Sequence, residues 1–464
     1  MNRYLKKAVA VFAILALVGQ GCTKAPSQAT TQASQPITIN VWGVVDGFSV
    51  YSPIFDAYRA LHPYVSFNYR RFRLEEYEGE LLNALAEDRG PDIFLIHNTW
   101  TNKYLPKISS LPPSAQVAYR VQKGRTITYE LRQEPTISGR EFKAQYADVV
   151  QNDLLRTLNV GTASTPNMQE RLVGIPTNVD TMGMYYNKDI LNVANIPTPP
   201  TTWTEFASQV PQLTQLDANG NIIQSAAGIG TADNIDRSTD LLTALMVQNG
   251  TEMADANGSP IFHQIPPALR DVRTEPPSYQ AVTFYTDFAN PAKETYTWNE
   301  TMPNALDAFV QGQTAFYFGY AYDYDTIRSR APKLNLGIAP LPQIAGNPPK
   351  NIANYWYFAV SKKSQHQDVA WNFLNSLTNS DTLTQILASS HEPSAKKDLL
   401  TTQIEDERVG VFASQVLTAF SWYRGSSPTQ MEDALKELIR NIRSGVKIND
   451  AMRFAAEKIA QTIR

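Results

Sequence analysis

Apolar residues in the first part of the chain change their spacing from one segment to the next, and this predicts strands and helices in turn. Residues 37–42 alternate apolar and polar positions, as is typical of a strand. Residues 54–61 carry apolar side chains at helical spacing, residues 65–72 predict a second strand, and residues 77–85 predict a second helix. The continuous apolar run 93–96 then predicts a third strand, buried on both faces. This order of elements favours parallel strands joined by right-handed crossovers.

The third strand ends abruptly, because the apolar run in GPDIFLIHNTW stops at His97 and is followed by polar residues and a tryptophan. In open α/β sheets, ligands bind at the carboxyl ends of the strands. Trp42 and Asp46 follow the first strand, and Asn98 and Trp100 follow the third. We therefore expect these four side chains to lie along one edge of the sheet, at a ligand site.

The rest of the chain predicts a hairpin, a second α/β unit and a helical tail. Alternation on both sides of a Lys-Gly pair in residues 117–133 predicts a β-hairpin on the surface. A strand at 182–187 begins the second unit, and residues 314–318 form another apolar strand within it. The aromatic segment 354–360 predicts a late strand followed by a helix. From residue 381 onward the pattern is helical throughout.

Length and charge narrow the class of protein. A chain of 464 residues exceeds one ordinary hydrophobic core, so two lobes are expected, with room for a cleft between them. The 41 Lys and Arg against 44 Asp and Glu give a net charge of −3, and the basic residues form no stripe. A nucleic-acid partner is therefore not expected.

The N-terminus reads as a secretory signal. Three basic residues precede the apolar run 8–18, which is too short for a membrane span. Cys22, the only cysteine, stands where the signal would be cleaved, and the arrangement resembles a bacterial lipoprotein signal. It departs from that pattern at Gly19, where an aliphatic residue is usual. We expect a signal peptide at 1–21, lipidation of Cys22 and a flexible tether at 22–36. The alternatives are an unmodified thiol in a signal cleaved elsewhere, or an uncleaved anchor.

Several motifs, taken together and in order, resemble the extracellular solute-binding proteins of ABC importers, family 1, of the maltose-binding type. They span nearly the whole mature chain and are ITINVW, GPDIFL, VGIPTNVDTMGMYYNKDIL with PTTWTEF, ALDAFVQGQTAFYFG, and NYWYFAVSKKS leading into AWNFLNSL. The resemblance implies the α/β, two-lobed periplasmic-binding-protein fold of type II. Each lobe would be an open, mostly parallel sheet flanked by helices, and the chain would end in a helical tail.

The same resemblance implies how the lobes divide the chain. We expect an N-terminal lobe of residues 37–175 and 337–378, and a C-terminal lobe of residues 176–336 and 379–464. The segments VGIPTN and GIAPLP would be the hinge crossings. The hairpin at 117–133 has no counterpart in this pattern.

A cleft ligand such as a sugar needs aromatic faces for stacking and planar polar groups for its hydroxyls. By position, the resemblance matches Asp46 to the polar residue after the first strand, and Asn98 and Trp100 to the loop after DIF. The predicted ligand-binding residues are Trp42, Asp46, Asn98, Trp100, Asp180, Tyr320, Tyr322, Trp356, Trp422 and Arg424. Trp203 and Trp371 are expected in the core instead.

The implied function is delivery of a solute, a sugar or oligosaccharide, to an ABC permease by a monomer anchored through its lipid to the outer face of the cell membrane. We expect no cofactor, no metal and no catalysis. The five histidines show no metal spacing, and the two Asp-Ala-Asn-Gly segments, at Asp217 and Asp255, lack the later ligands of a calcium loop and predict hairpin turns. Three alternatives stay open: another solute class such as iron or a polyamine, a glycan hydrolase with paired carboxylates, and a surface glycan-binding protein.

Overall fold

The computed structural model describes residues 28–463, folded as two α/β lobes. The predicted signal peptide and Cys22 lie outside these residues. Among residues 28–463, no helix is both long and apolar enough to cross a membrane.

The strands are, in chain order, β1 (Ile37–Gly43), β2 (Val65–Arg71), β3 (Ile93–His97), β4 (Ser114–Lys123), β5 (Thr126–Pro135), β6 (Leu155–Asn159), β7 (Met168–Leu172), β8 (Ile175–Pro176), β9 (Asp180–Thr181), β10 (Gly183–Asn187), β11 (Gln215–Leu216), β12 (Ile222–Ala227), β13 (Thr314–Gly319), β14 (Leu336–Pro340), β15 (Asn351–Asn354), β16 (Trp356–Val360) and β17 (Ala419–Phe420).

The α-helices are, in chain order, α1 (Gln28–Ala33), α2 (Phe48–Leu61), α3 (Leu74–Ala86), α4 (Thr101–Tyr104), α5 (Gly139–Gln145), α6 (Asp148–Leu154), α7 (Lys188–Val193), α8 (Trp203–Leu213), α9 (Ser238–Gln248), α10 (Pro277–Asp287), α11 (Ala305–Val310), α12 (Asp323–Arg330), α13 (Gln367–Ser376), α14 (Ser380–Ser390), α15 (Lys397–Gln403), α16 (Gly410–Gln415), α17 (Pro428–Arg443) and α18 (Ile448–Ala460).

The first lobe is built on a sheet with the strand order β2-β1-β3-β16-β8. β1 runs parallel to β2 and to β3, as the alternation of strands and helices predicted. β16 pairs antiparallel with β3 and with β8, because the chain returns from the second lobe before it forms β16. Residues 93–96 of β3 are fully enclosed, which accounts for their unbroken apolar run.

The second lobe is built on a sheet with the order β11-β12-β13-β10-β14. Only β12 and β13 run parallel, whereas β10 is antiparallel to β13 and to β14, and β11 is antiparallel to β12. The predicted α/β two-lobed fold is confirmed: four of the five strands of the first sheet run in the same direction, and three of the five in the second. The reversed strands are β16 and β10, each of which follows a crossing between the lobes, and β11, which forms a hairpin with β12.

Short strands connect the two lobes. β9 pairs antiparallel with β15, and β17 runs parallel to β15, so these three strands form a small sheet. The chain leaves the first lobe between β8 and β10, close to the predicted crossing VGIPTN. It returns through β15 into β16. Residues 336–340, predicted as the second crossing, instead form β14 within the second sheet; an apolar strand closed by prolines has the same pattern in either place.

Each lobe has its own hydrophobic core. Helices of the C-terminal region contribute to both, since Ile386 and Leu400 belong to the first core and Leu435 and Ile459 to the second. The residue limits given above for the two lobes stay predictions. The helical character of the C-terminal region is confirmed.

The two tryptophans expected in the core are there. Trp203 is 4% exposed and donates its ring N–H to Gln248 Oε1 at 2.6 Å. Trp371 is 1% exposed and donates to Ser109 Oγ at 2.9 Å. At the start of α8, Thr202 Oγ1 accepts from the backbone N–H of Glu205 at 3.2 Å, which is the capping box that the sequence predicted.

The predicted hairpin is also present, as β4 and β5 in continuous register. It lies against the first lobe, where His62 Nδ1 is 2.9 Å from the Ala118 carbonyl oxygen. Helix α1 packs on the hairpin, so residues 28–33 of the predicted tether have a folded structure on the surface of this lobe.

Candidate functional site

A narrow cavity of about 30 Å³ lies where the first lobe, the small connecting sheet and the second lobe meet. Residues from both lobes and from the connecting sheet line this cavity. His97, Asn98 and Thr99 come from the end of β3, and Ile352 to Asn354 come from β15. The second lobe contributes residues at and near the start of α9 and α17, and the segment between β17 and α17. Those residues are Arg237, Thr239, Asp240, Thr243, Ser421, Trp422, Tyr423, Met431, Glu432 and Leu435.

His97 closes the first-lobe side of this cavity. Its Nδ1 lies 2.8 Å from Thr99 Oγ1, and its Nε2 lies 3.1 Å from Asn354 Oδ1. Burial lowers the pKa of His97 to about 4, so the ring is neutral at neutral pH. Since an amide oxygen can only accept, the proton is on Nε2, and Nδ1 accepts from the Thr99 hydroxyl.

Asn98 lines the cavity and carries an unused acceptor. The residue is 2% exposed, and its Nδ2 makes only a long contact of 3.4 Å with the Ala353 carbonyl oxygen. Its Oδ1 is buried without a hydrogen-bond partner among the described residues. A buried, unpaired amide oxygen is costly unless something donates to it, so this atom is suited to receive a hydroxyl or amine of a bound solute.

The second-lobe side carries a fixed network of charge. Asp240 Oδ2 accepts from Arg237 Nε at 2.7 Å and from the Tyr320 hydroxyl at 2.6 Å. Glu432 Oε1 lies 3.9 Å from Arg237 Nη2, and burial raises the pKa of Glu432. Planar carboxylate and guanidinium groups held in this way can bind the hydroxyls of a solute in a defined orientation.

Aromatic rings surround the cavity, and Trp422 is the only tryptophan among residues 28–463 that lines it directly. Trp356 packs edge-on against His97 and Trp100, with centroids 5.2 Å apart in each case. Trp100 stacks on Tyr104 at 5.9 Å, so one face of its ring is occupied by the protein.

Tyr320 and Tyr322 form a stacked pair at 5.4 Å beside the network. The Tyr320 side chain is fully buried, and Tyr322 is 42% exposed. Asp323 supports the backbone at this point, because its Oδ2 accepts from the backbone N–H of Tyr320 at 2.9 Å and from the Tyr317 hydroxyl at 3.3 Å. Burial raises the pKa of Asp323 to about 7.

Four predicted residues are engaged by the protein itself. Trp42 packs on Phe72 at 4.5 Å, with the Arg70 guanidinium 5.5 Å from its ring centroid. Asp46 Oδ2 accepts from the Tyr51 hydroxyl at 2.7 Å, and burial raises the pKa of Asp46.

Asp180 accepts from the backbone N–H groups of Thr181 and Ala321, each at 2.8 Å, and burial raises its pKa well above the usual range. The guanidinium of Arg424 is paired with Asp153. The ligand roles assigned to these residues stay predictions.

The structure thus gathers Asn98 and Trp422 at the cavity. Tyr320 contacts Asp240, and Trp356 and Trp100 contact His97, so these three aromatic residues touch residues that line it. Asp180 pairs with Asn354 across β9 and β15. Sequence reasoning missed Arg237, Asp240 and Glu432, and it gave His97 no ligand role. The abrupt polar end of the apolar run at His97 was the available signal. The charged residues at the start of α9 gave none, because only the tertiary fold brings them opposite β3.

Two lobes joined by crossing strands, with a polar and aromatic cavity between them, define the class of two-lobed solute-binding proteins. The family model for the bacterial extracellular solute-binding protein matches residues 136–382. This chain therefore belongs to the bacterial extracellular solute-binding protein family.

Named relatives agree with this assignment. A probable ABC transporter-binding protein of Deinococcus radiodurans is 24% identical over 246 residues, which cover 52% of this chain and 53% of that protein. This chain thus matches about half the length of that curated relative.

Two solved structures share the fold at low identity. A cyclo/maltodextrin-binding protein complexed with maltotetraose has a TM-score of 0.68 and 13% identity, over 93% of this chain and 98% of the other. The sugar-binding protein MalE from Xanthomonas citri has a TM-score of 0.66 and 18% identity, over 92% and 97% respectively.

Proposed function

We propose that this protein is the substrate-binding component of an ABC importer and that it holds a carbohydrate in the cleft that this cavity marks, between His97 and Asp240, with the lobes further apart than they are in this structure. The observation that carries the proposal is the combination at one cavity of a buried, unpaired acceptor, Asn98 Oδ1, with the ring of Trp422. Sugars present both hydroxyl donors and apolar ring faces, so they fit such a lining.

The electrostatics of the cavity agree with a polar, uncharged solute. His97 is neutral, and the carboxylate of Asp240 is already matched by Arg237. Groups of this kind exchange hydrogen bonds with hydroxyls without leaving a buried charge unpaired. The sugar-binding proteins that share the fold support the same solute class.

The mechanism is capture by closure. The solute contacts residues of both lobes, so it binds the closed form more tightly than the open form and shifts the population toward it. The permease then receives the solute from the closed form. The chain's own residues bind and orient the solute, and no covalent step is required of them.

The proposal also covers how the protein is attached to the membrane and in which oligomeric state it acts. The protein is held at the outer face of the cell membrane by a lipid on Cys22, acts as a monomer, and meets its permease there. Two acyl chains suffice for stable attachment where a single chain does not.

A thermal-shift panel tests the solute class. Sugars and oligosaccharides should raise the unfolding temperature, because a ligand present at 100 times its Kd stabilises the folded state by about 2.7 kcal/mol. Polyamines, amino acids and ferric salts should not. A shift with one of these and with no carbohydrate would contradict the proposal, and release of shorter products from an oligosaccharide would favour a hydrolase instead.

A further inference from the structure

The hairpin of β4 and β5 takes no part in the solute site described above, and none of its residues lines the cavity. Its inner face is held on the first lobe. Val117 and Ala118 are buried there, and the Ala118 backbone N–H donates to the Tyr64 hydroxyl at 3.2 Å. Residues 124–127, at the turn, are all exposed. The turn is therefore open to contact with a partner outside this chain.

The turn end of this hairpin is basic. Residues 115–129 include Arg120, Lys123 and Arg125 but no aspartate or glutamate, although the whole chain has a net charge of −3. Arg120 and Arg125 are both exposed. Ile127 follows two residues after Arg125 and is 52% exposed, which adds an apolar side chain to the basic turn. Basic side chains together with an exposed apolar one suit an anionic lipid surface.

The start of the described chain lies on the same hairpin. Helix α1 packs on β4 and β5, with Thr30 buried. Gln28, its first residue, follows Cys22 by six positions, and a chain of six residues spans at most about 21 Å. A lipid on Cys22, as proposed above, therefore keeps the membrane surface close to the hairpin. Before Asp46 the chain carries no acidic residue that would oppose this approach.

Proximity strengthens an attraction that would be weak by itself. Lys and Arg side chains are attracted to anionic headgroups within about one Debye length, roughly 8 Å at physiological ionic strength. A hairpin without an anchor would bind such a surface weakly. The anchor makes the contact intramolecular, and this raises the effective concentration of the turn at the lipid surface.

We infer that the turn of the β4–β5 hairpin is a membrane-contact surface, which binds the anionic headgroups of the lipid layer that holds Cys22. This inference rests on the lipid attachment in the proposed function and adds to it a second contact, which depends on lipid charge and on salt. It gives a role to the hairpin, which has no counterpart in the sequence pattern of the family.

A fluorescent probe in the turn tests this contact in the mature, lipidated protein. Cys22 is the only cysteine, so once it carries lipid an introduced cysteine is the single free thiol. Thr126→Cys places the probe at the turn. Ala218→Cys is the matched control, in the turn between β11 and β12 of the second lobe, where Asp217 Oδ1 accepts from the Asn219 N–H at 2.8 Å. Both positions are exposed, so both variants should fold.

Each labelled protein is inserted into phosphatidylcholine vesicles with and without phosphatidylglycerol, and quenching by a headgroup-bound quencher is measured. The turn probe should be quenched on vesicles that contain phosphatidylglycerol, and the quenching should disappear in about 1 M salt, where the Debye length is about 3 Å. The control probe should be quenched on neither.

Equal quenching of the turn probe on both kinds of vesicle, with the protein still floating with them, would overturn the inference and leave the lipid attachment standing. Absence of the lipidated protein from the floated vesicles would instead remove the proposed attachment, and this inference with it.

Charge variants identify the side chains that make the contact. Arg120→Gln with Arg125→Gln removes two exposed charges from the turn, and Arg270→Gln with Lys333→Gln removes two from exposed sites on the second lobe. The first pair should lower the ratio of membrane-bound to free turn by about tenfold or more, and the second pair should leave it unchanged. Quenching of the turn probe as strong in the first pair as in the wild type would show that these arginines do not bind lipid, and would overturn the inference.

Discussion

Arg424 Nη2 lies 2.6 Å from Asp153 Oδ1, and this ion pair joins the two lobes of the protein. Asp153 is fully buried at the end of α6, beside residues of the first core, whereas Arg424 follows Tyr423 of the second core. The Tyr355 hydroxyl donates to the other carboxylate oxygen at 2.7 Å, and Ser421 also donates to the group. The contact therefore holds the two lobes against each other in this structure.

Asp153→Asn should weaken solute binding by about tenfold, because each ~1.4 kcal/mol removed from the closed form lowers its population tenfold relative to the open form. Small-angle scattering without solute should show a larger radius of gyration than that of the wild type. Asp233→Asn is the matched control, since it breaks an exposed pair with Arg440 that lies in one lobe. Unchanged affinity and radius in Asp153→Asn would contradict the role of the pair in closure.

Trp422→Ala should lower solute affinity by about 2 kcal/mol or more, the usual effect of removing a central aromatic contact. Its effect on the free energy of unfolding should be smaller than that of Trp203→Ala, where loss of a core ring costs roughly 3–5 kcal/mol. Titration calorimetry and urea unfolding on both variants separate the two roles. Binding as tight as that of the wild type in Trp422→Ala would place the solute elsewhere.

Asn98→Ala should change affinity and stability in different ways. It removes the acceptor for the solute, which costs about 1–3 kcal/mol of binding free energy. In the absence of solute it also removes a buried, unpaired oxygen, so the free energy of unfolding should stay level or rise.

Asn351→Ala is the comparison for Asn98→Ala. The Asn351 side chain donates to the Met182 carbonyl oxygen at 2.8 Å and accepts from the Met182 N–H at 3.0 Å, so its loss should destabilise the fold. A destabilised Asn98→Ala with normal affinity would mean that Asn98 is structural.

Asp323 should make stability depend on pH between about 4 and 7. Its pKa is raised from 3.8 to about 7 by burial, so over this range the folded state keeps a proton that the unfolded state has lost. The stabilisation is complete below pH 3.8 and is lost as the pH rises through 7. Relative to Asp323→Asn, which stays neutral, the wild type should lose on the order of 2–4 kcal/mol between pH 4 and pH 8. Urea unfolding at several pH values measures this. If the free energy of unfolding changed with pH in the same way for both proteins, the assignment would be wrong.

Cys22→Ser should release the protein from the membrane fraction, because the variant cannot carry the acyl chains that provide the proposed anchor. Fractionation of cells producing each form, together with labelling by a fatty-acid analogue, measures both attachment and lipidation. Membrane retention of the variant equal to that of the wild type would show that something other than Cys22 holds the protein there.

Sequence reasoning located the elements whose patterns are local. The apolar run of residues 93–96, the alternation of β4 and β5, and the capping box at Thr202 each depend on a few neighbouring residues, and all three were found where predicted. Trp203, placed in the core because it opens a capped helix, and Trp371, placed there because Phe373 and Leu374 flank it on its helix, were both assigned correctly.

Features that depend on distant parts of the chain were not accessible in this way. β14 has the pattern of a crossing strand, and only its pairing with β10 shows that it belongs to the second sheet. Arg237 and Asp240 lie more than 130 residues from His97 along the chain, and no periodicity brings them to the same cavity. For Arg424, the side chain suited a ligand contact, but its partner Asp153 could not be identified from spacing.

Helix α1 packs on the hairpin of β4 and β5, and this ties the start of the described chain to the first lobe. Because residues 28–33 lie against the first lobe, any attachment near the start of the chain holds that lobe close to the surface to which it is attached. If the proposed closure takes place in a chain anchored in this way, the second lobe, with Arg237, Asp240 and Trp422, is the one that moves. A permease facing this protein would meet a first lobe of constant orientation and would detect the presence of solute through the position of the second.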